Sequence, residues 1–169
     1  MLSITLEDQQ LHVQAPYHPV FPARARLLEG RWRGEAWVFP RNREKEVRML
    51  CLDIYGDDGT AACTAELVRV RVEVTVPCRG GPFEQIGTAL YLGGREIAHA
   101  FRVGSHARPG RGVRFIRRAP CRAGSDEFPV TCIPHGAIFE VSDVPRRAAE
   151  KLREQVGAYG DVLIVDQGS

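Results

Sequence analysis

Arg31-Trp32-Arg33-Gly34-Glu35-Ala36-Trp37-Val38-Phe39 is the stretch from which the fold can be read. A two-residue Gly34-Glu35 loop with glycine first suits a type II′ hairpin turn. That register pairs Arg33 with Ala36 and sets Trp32 directly opposite Trp37, with Phe39 on the same face. Cross-strand aromatic pairs contribute roughly 0.2–1 kcal/mol beyond an alanine pair. One face of the hairpin is therefore aromatic and needs a cover, while Arg31 and Arg33 point the other way.

The flanking segments supply that cover. Upstream, Leu2, Ile4 and Leu6 alternate, then Leu11 and Val13 resume the pattern after the polar turn Glu7-Asp8-Gln9-Gln10, which reads as a strand hairpin. Pro16, Pro19 and Pro22 bound a linker into a short helix from about Phe21 to Leu28, closed by Gly30. Downstream, Pro40 ends the strand and Asn42 is placed to cap a helix. Val47, Leu50, Cys51 and Ile54 follow at helical spacing as an apolar stripe. Gly56 stops that helix, and Asp57-Asp58-Gly59 turns the chain. The stripe is expected to cover Trp32, Trp37 and Phe39 and make them the core of this part.

The remainder reads mostly as strand. Valines 68, 70, 72, 74 and 76 alternate with Arg69, Arg71, Glu73 and Thr75, the pattern of a half-buried strand. Thr88–Leu92 and Arg95–Phe101 flank Gly93-Gly94, a type I′ hairpin turn. Short strands are expected near Val113–Ile116, Phe128–Ile133 and Ala137–Val141. A helix from Pro145 to about Val156 has Ala148, Ala149, Leu152 and Val156 inward, and Asp161–Val165 forms a last strand. The expected class is α+β, in two parts. Residues 1–60 form a small strand-hairpin and two-helix module; residues 61–169 form a mainly antiparallel β domain with a C-terminal helix and strand. Each part alone makes a small core, so the parts are expected to pack together.

Charge and cysteine usage narrow the setting. The net charge is only +2, but lysine occurs just at Lys45 and Lys151 and arginine supplies the other cations. A GC-rich genome would produce that bias, and so would selection for bidentate contact with carboxylate or phosphate. The acidic start Glu7-Asp8 is unlike a secretory signal, and no apolar run is long enough for a membrane span. Five cysteines, at 51, 63, 78, 121 and 132, fit reduced thiols in a cytoplasm, with no membrane partner.

The chemistry-bearing candidates are few. No phosphate-binding loop, dinucleotide fingerprint, zincin helix or nucleophile elbow occurs, so a non-enzymatic protein without cofactors is expected. Cys132-Ile133-Pro134-His135 has half-site spacing for zinc, with Cys121 upstream and Cys78 or Cys63 as a fourth ligand. The alternative is a strand cysteine and a turn histidine. A cysteine–histidine nucleophile pair would have to arise from the fold, and His99, on the face of Ile97 and Phe101, reads as a core residue. The arginine run is the broadest signal: Arg108, Arg111, Arg114, Arg117 and Arg118 lie between Arg102 and Arg122 with no acid among them. Gly104, Pro109, Gly110 and Gly112 make much of it a loop, and Phe115 sits between arginines. Such a run can follow a phosphate backbone and stack a base, or form a solvated basic loop. Arg31 and Arg33 are secondary candidates.

Pro16-Tyr17-His18-Pro19, Phe21, Ala25, Arg26, Gly30, Trp32, Trp37, Phe39, Val47, Arg48, Tyr55-Gly56 and Asp58-Gly59 together make a pattern. It resembles that of uncharacterised proteins encoded on proteobacterial plasmids, integrative elements and phages. Leu92-Gly93-Gly94 and Asp143-Val144-Pro145 are similar to it as well, while Arg117–Ser125 departs from it. The hairpin flanked by helices also resembles the HARP module of annealing helicases, which is linked to forked or single-stranded DNA. The resemblance implies a protein that serves a mobile element. It would bind nucleic acid or a nucleoprotein complex, or block a host defence complex as anti-CRISPR proteins do.

Overall fold

The computed structural model describes residues 2–64, 66–77 and 79–166. The chain is mixed helix and strand, and every strand pair among the described residues is antiparallel. It divides into two compact units, 1–66 and 67–169.

In the first unit, β1 (Ser3–Glu7) and β2 (Gln10–Gln14) form the upstream hairpin. Helix α1 (Phe21–Leu27) precedes β3 (Arg31–Trp32) and β4 (Trp37–Pro40), and the sheet runs β1-β2-β4-β3. Trp32 pairs with Trp37, and the Arg33 N–H donates to the Ala36 carbonyl at 2.9 Å, the register expected from Gly34-Glu35. Helix α2 (Glu44–Tyr55) buries Val47, Leu50, Cys51 and Ile54 against Leu11, Val13, Phe21, Trp37 and Phe39. The short helix α3 (Ala61–Thr64) ends the unit. Close approach also explains Gly30: a Cβ there would lie 2.4 Å from the Phe39 ring and 2.7 Å from the Ala25 carbonyl oxygen.

Two expectations fail here. Trp32 is 54% exposed while Trp37 is 8% exposed. The helices pack on β2 and β4, and Trp32 lies one strand further out on the two-residue edge strand. It keeps its partner's ring at 5.9 Å but belongs to the surface. Asn42 caps nothing: Arg41–Arg43 form a 3₁₀ turn leading into α2, whose start has no side-chain cap. Leu6 is exposed, although Leu2 is buried and Ile4 packs on the core.

In the second unit, β5 (Leu67–Val74) is an inner strand of a four-stranded sheet. Its partners are β10 (Val113–Arg117), β13 (Ile138–Pro145) and β14 (Gly160–Asp166), in the order β10-β13-β5-β14. Valines 68, 70, 72 and 74 are buried, whereas Val76 lies beyond the strand and is exposed. Helix α4 (Arg146–Val156) places Ala148, Ala149, Leu152 and Val156 in the same core, as its spacing required. Strands β7 (Ala89–Leu92), β8 (Arg95–Ala100) and β9 (Ala107–Pro109) form one small sheet. Gly93 and Gly94, at φ of 58° and 76°, make the β7–β8 turn, a left-handed pair that glycine adopts without strain. Strands β11 (Cys121–Gly124), β12 (Pro129–Cys132) and β6 (Glu84–Ile86) form another.

The arginine run is about half loop, as expected, and half strand. Strands β9, β10 and β11 take up most of Ala107–Gly124, with a tight turn between β9 and β10 in which the Val113 N–H donates to the Gly110 carbonyl at 3.1 Å. Phe115 packs on the core with its ring 5.2 Å from that of Phe139, so it is not free to stack a base.

Candidate functional site

Alternation along β5 separates core from charge. With the valines inward, Arg69, Arg71 and Glu73 stand on the opposite face. Register then builds a row across the sheet: Arg114 of β10 opposite Glu140 of β13, Glu140 opposite Arg71, and Arg71 opposite Leu163 of β14. Arg69, Gly112, Val113, Arg114, Glu140 and Ser142 line a concavity of about 510 Å³ beside this row.

Glu140 is the pivot of the site. It accepts a hydrogen bond from Arg114 at 2.9 Å, with Arg114 74% exposed and Glu140 only 14% exposed. The Arg114 hydrogen bond and charge, together with the charges of Arg69 and Arg71, hold the Glu140 carboxyl below its ordinary range; partial burial opposes them. Neither Arg69 nor Arg71 has a hydrogen-bonded carboxylate among the described residues. Glu140 thus sits in the field of three guanidinium groups, while Glu73 on the same face is taken by Arg117 at 2.9 Å.

The sequence-predicted arginines divide. Arg114 lies in the row, and Arg111 is exposed in the turn beside Gly112, its carbonyl accepting from Arg95 at 3.4 Å. Arg108 is exposed on β9 opposite His99. Arg117 is held by the Gly136 carbonyl at 2.7 Å and by Glu73 at 2.9 Å. Arg118 donates to the His135 carbonyl at 3.0 Å. Arg31 and Arg33 are exposed in the first unit around the edge strand. Arg122, which ends the run, is 9% exposed; it bonds the Gly104 and Ser125 carbonyls and Asp126 and has become internal structure. Sequence reasoning passed over Arg69 and Arg71. The alternation Val68-Arg69-Val70-Arg71 was the available signal, since it puts both arginines on one face.

The alternatives are weaker in geometry. His99 is not a core residue; it is half-exposed, with Nδ1 3.7 Å from a Glu96 carboxylate oxygen. Burial pushes the Cys51 and Cys132 thiols up to about 12, the reverse of what a nucleophilic thiolate needs. For the zinc set, Cys132 Sγ donates to the Cys121 carbonyl at 3.3 Å and His135 sits in an exposed turn, while Cys78 lies outside the described residues. Asp57, Asp58 and Cys63 do gather ligand-type atoms within 4.8 Å of one another. Their carboxylates already fold the chain, Asp57 accepting the Gly59 N–H at 2.8 Å and Asp58 the Thr60 N–H at 3.0 Å. Burial alone would raise the Asp58 carboxyl, but hydrogen bonds from Thr60 and Cys63 outweigh it and hold it low.

No helix among the described residues is long and apolar enough to cross a membrane. Compared with protein-family models, curated proteins and solved structures, the chain returns no match.

Proposed function

We propose that this chain is a non-enzymatic binding protein of a mobile element that engages nucleic acid or a nucleoprotein complex. The phosphate contacts come from the second unit, through Arg69, Arg71, Arg111 and Arg114, with Arg108, Arg117 and Arg118 at its margins and Arg31 and Arg33 as a separate, secondary pair. The observation that carries this reading is the Glu140 carboxyl, held low among three arginines beside an open concavity. A point that favours one negative charge favours a phosphate as well. The mobile-element origin and the HARP-like character of residues 1–60 belong to the same proposal and rest on the sequence resemblance.

The test is fluorescence anisotropy with labelled single-stranded DNA, duplex DNA and RNA across a salt series. Four phosphate contacts predict that log K falls with log salt at a slope of about −3 for a single strand, about −0.7 per contact. Arg69→Ala, Arg71→Ala and Arg114→Ala should each weaken binding uniformly across sequences and reduce that slope. Binding that ignores salt, or no binding to any of the three probes, would sink the proposal.

A second reading is a protein inhibitor of a host defence complex of the anti-CRISPR kind. The observation that favours it is apolar exposure on the sheet β11-β12-β6. Ile86 is 88% and Phe128 67% exposed, and Ile86 and Ala123 flank Val130 in register. Exposed apolar clusters mark protein contacts more than phosphate contacts. This reading expects tight association with a CRISPR effector and no affinity for free nucleic acid.

A further inference from the structure

The outward face of β11-β12-β6 carries chemistry that the arginine surface does not use. Cys121 lies directly opposite Cys132 across the antiparallel pair. Their strand neighbours Arg122 and Thr131 are 9% and 0% exposed, so alternation turns both cysteines to the other, partly exposed side. Both thiols are free, and Cys132 Sγ reaches the Cys121 carbonyl oxygen at 3.3 Å. Directly opposed residues have Cα atoms roughly 4.5–5.5 Å apart, inside the span of roughly 4.4–6.8 Å that a disulfide bridges. The two thiols are close enough to affect each other: burial and the Cys121 side chain push the Cys132 thiol up to about 12. Cys132 is thus a poor thiolate on its own, but it is held against the one sulfur it would have to join.

We propose that Cys121 and Cys132 are a redox modification site, closing to a cross-strand disulfide by exchange with a low-molecular-weight disulfide such as oxidised glutathione. In the first step one protein thiolate attacks a glutathione sulfur, forming a mixed disulfide and releasing one glutathione thiolate. In the second step the other cysteine loses its proton and attacks the protein-side sulfur of the mixed disulfide. The protein S–S bond forms and the second glutathione leaves. Two protein thiols are oxidised and one glutathione disulfide is reduced to two thiols.

Arg122 separates the cysteines into different tryptic peptides, which makes the product easy to read. The folded chain is incubated with oxidised glutathione, blocked with iodoacetamide under denaturing conditions, digested and mapped by mass spectrometry. The expected result is a linked pair of peptides carrying Cys121 and Cys132, their loss from the alkylated pool, and full return on reduction. Cys132→Ser and Cys121→Ser, each checked for folding by circular dichroism, should instead hold glutathione as a mixed disulfide on the remaining cysteine. A stable mixed disulfide in the unsubstituted chain, a dominant link through another cysteine, or no oxidation at all would each overturn the proposal.

Discussion

The helical surface of the first unit and the sheet face of the second both carry arginine, and they treat it differently. On the first, acids are interleaved with arginines in the chain or brought beside them. Arg48 bonds Glu44 one helical turn away at 2.9 Å, Arg43 meets Glu29 at 2.7 Å, and Arg24 pairs with Asp53. On the second, β5 sets Arg69 and Arg71 near Glu140, which comes from another strand and bonds Arg114, while Glu73 of β5 is taken by Arg117. Locally matched charges leave a surface satisfied. A shared acid leaves one that still attracts anions.

If the first unit contributes packing and the second contributes charge, substitutions should affect different measurements. Trp37→Ala removes a buried ring that touches Phe21 at 6.0 Å and lies under the Arg26 guanidinium at 5.6 Å. It should cost about 3–5 kcal/mol in guanidinium unfolding, while leaving the nucleic-acid affinity of the folded protein unchanged. Trp32→Ala, across the same register, should cost only about 0.2–1 kcal/mol, the value of the cross-strand pair alone. Equal costs would mean that the edge strand is covered after all.

Gly110→Ala tests the second unit in both measurements. A Cβ at Gly110 would lie 1.9 Å from the Glu96 carbonyl oxygen, beside the 2.8 Å hydrogen bond from Gly110 N–H to Ile97. The backbone must shift, at about 1–3 kcal/mol, and the β9–β10 turn that carries Arg111 shifts with it. Stability and salt-dependent binding should fall together. A stability loss with unchanged binding would remove Arg111 from the site.

Legibility followed the strength of local signals. The Gly34-Glu35 and Gly93-Gly94 turns, the α2 and α4 stripes and the Val68–Val74 alternation were readable, because period and turn chemistry act within a few residues. Strands β6, β9 and β11 were not: Glu84-Gln85-Ile86, Ala107-Arg108-Pro109 and Cys121-Arg122-Ala123-Gly124 have no apolar alternation and exist through backbone pairing. The exposure of Trp32 was equally hidden, since register fixes which face a residue takes but not how far a helix extends over it. For the site, Arg114 and Arg111 were legible as members of an acid-free run. Their joining with Arg69 and Arg71 depends on β13 lying between β10 and β5, a long-range order that no local pattern encodes.

The smallest expected effect separates the two surfaces most cleanly. Glu140→Gln removes the shared acid and keeps its size, so affinity for a single strand should rise a few-fold at neutral pH. The matching change in the first unit, Glu44→Gln, should leave affinity unaltered, because Arg48 also bonds the Asp58 carbonyl at 2.8 Å. Stability responds with a defined sign. Because the folded carboxyl of Glu140 sits below its ordinary value, its contribution is fully present above the unfolded value of about 4.3 and is lost as pH falls through the lower folded value. The stability gap between the unsubstituted chain and Glu140→Gln, about 1 kcal/mol or less for a surface pair, should therefore close only below pH of about 4.3. Over that same interval protonation removes the charge of Glu140, so the ratio of the two affinities should approach unity. A ratio independent of pH would mean that the arginines do not share Glu140, and that their surface is as satisfied as the helices of the first unit.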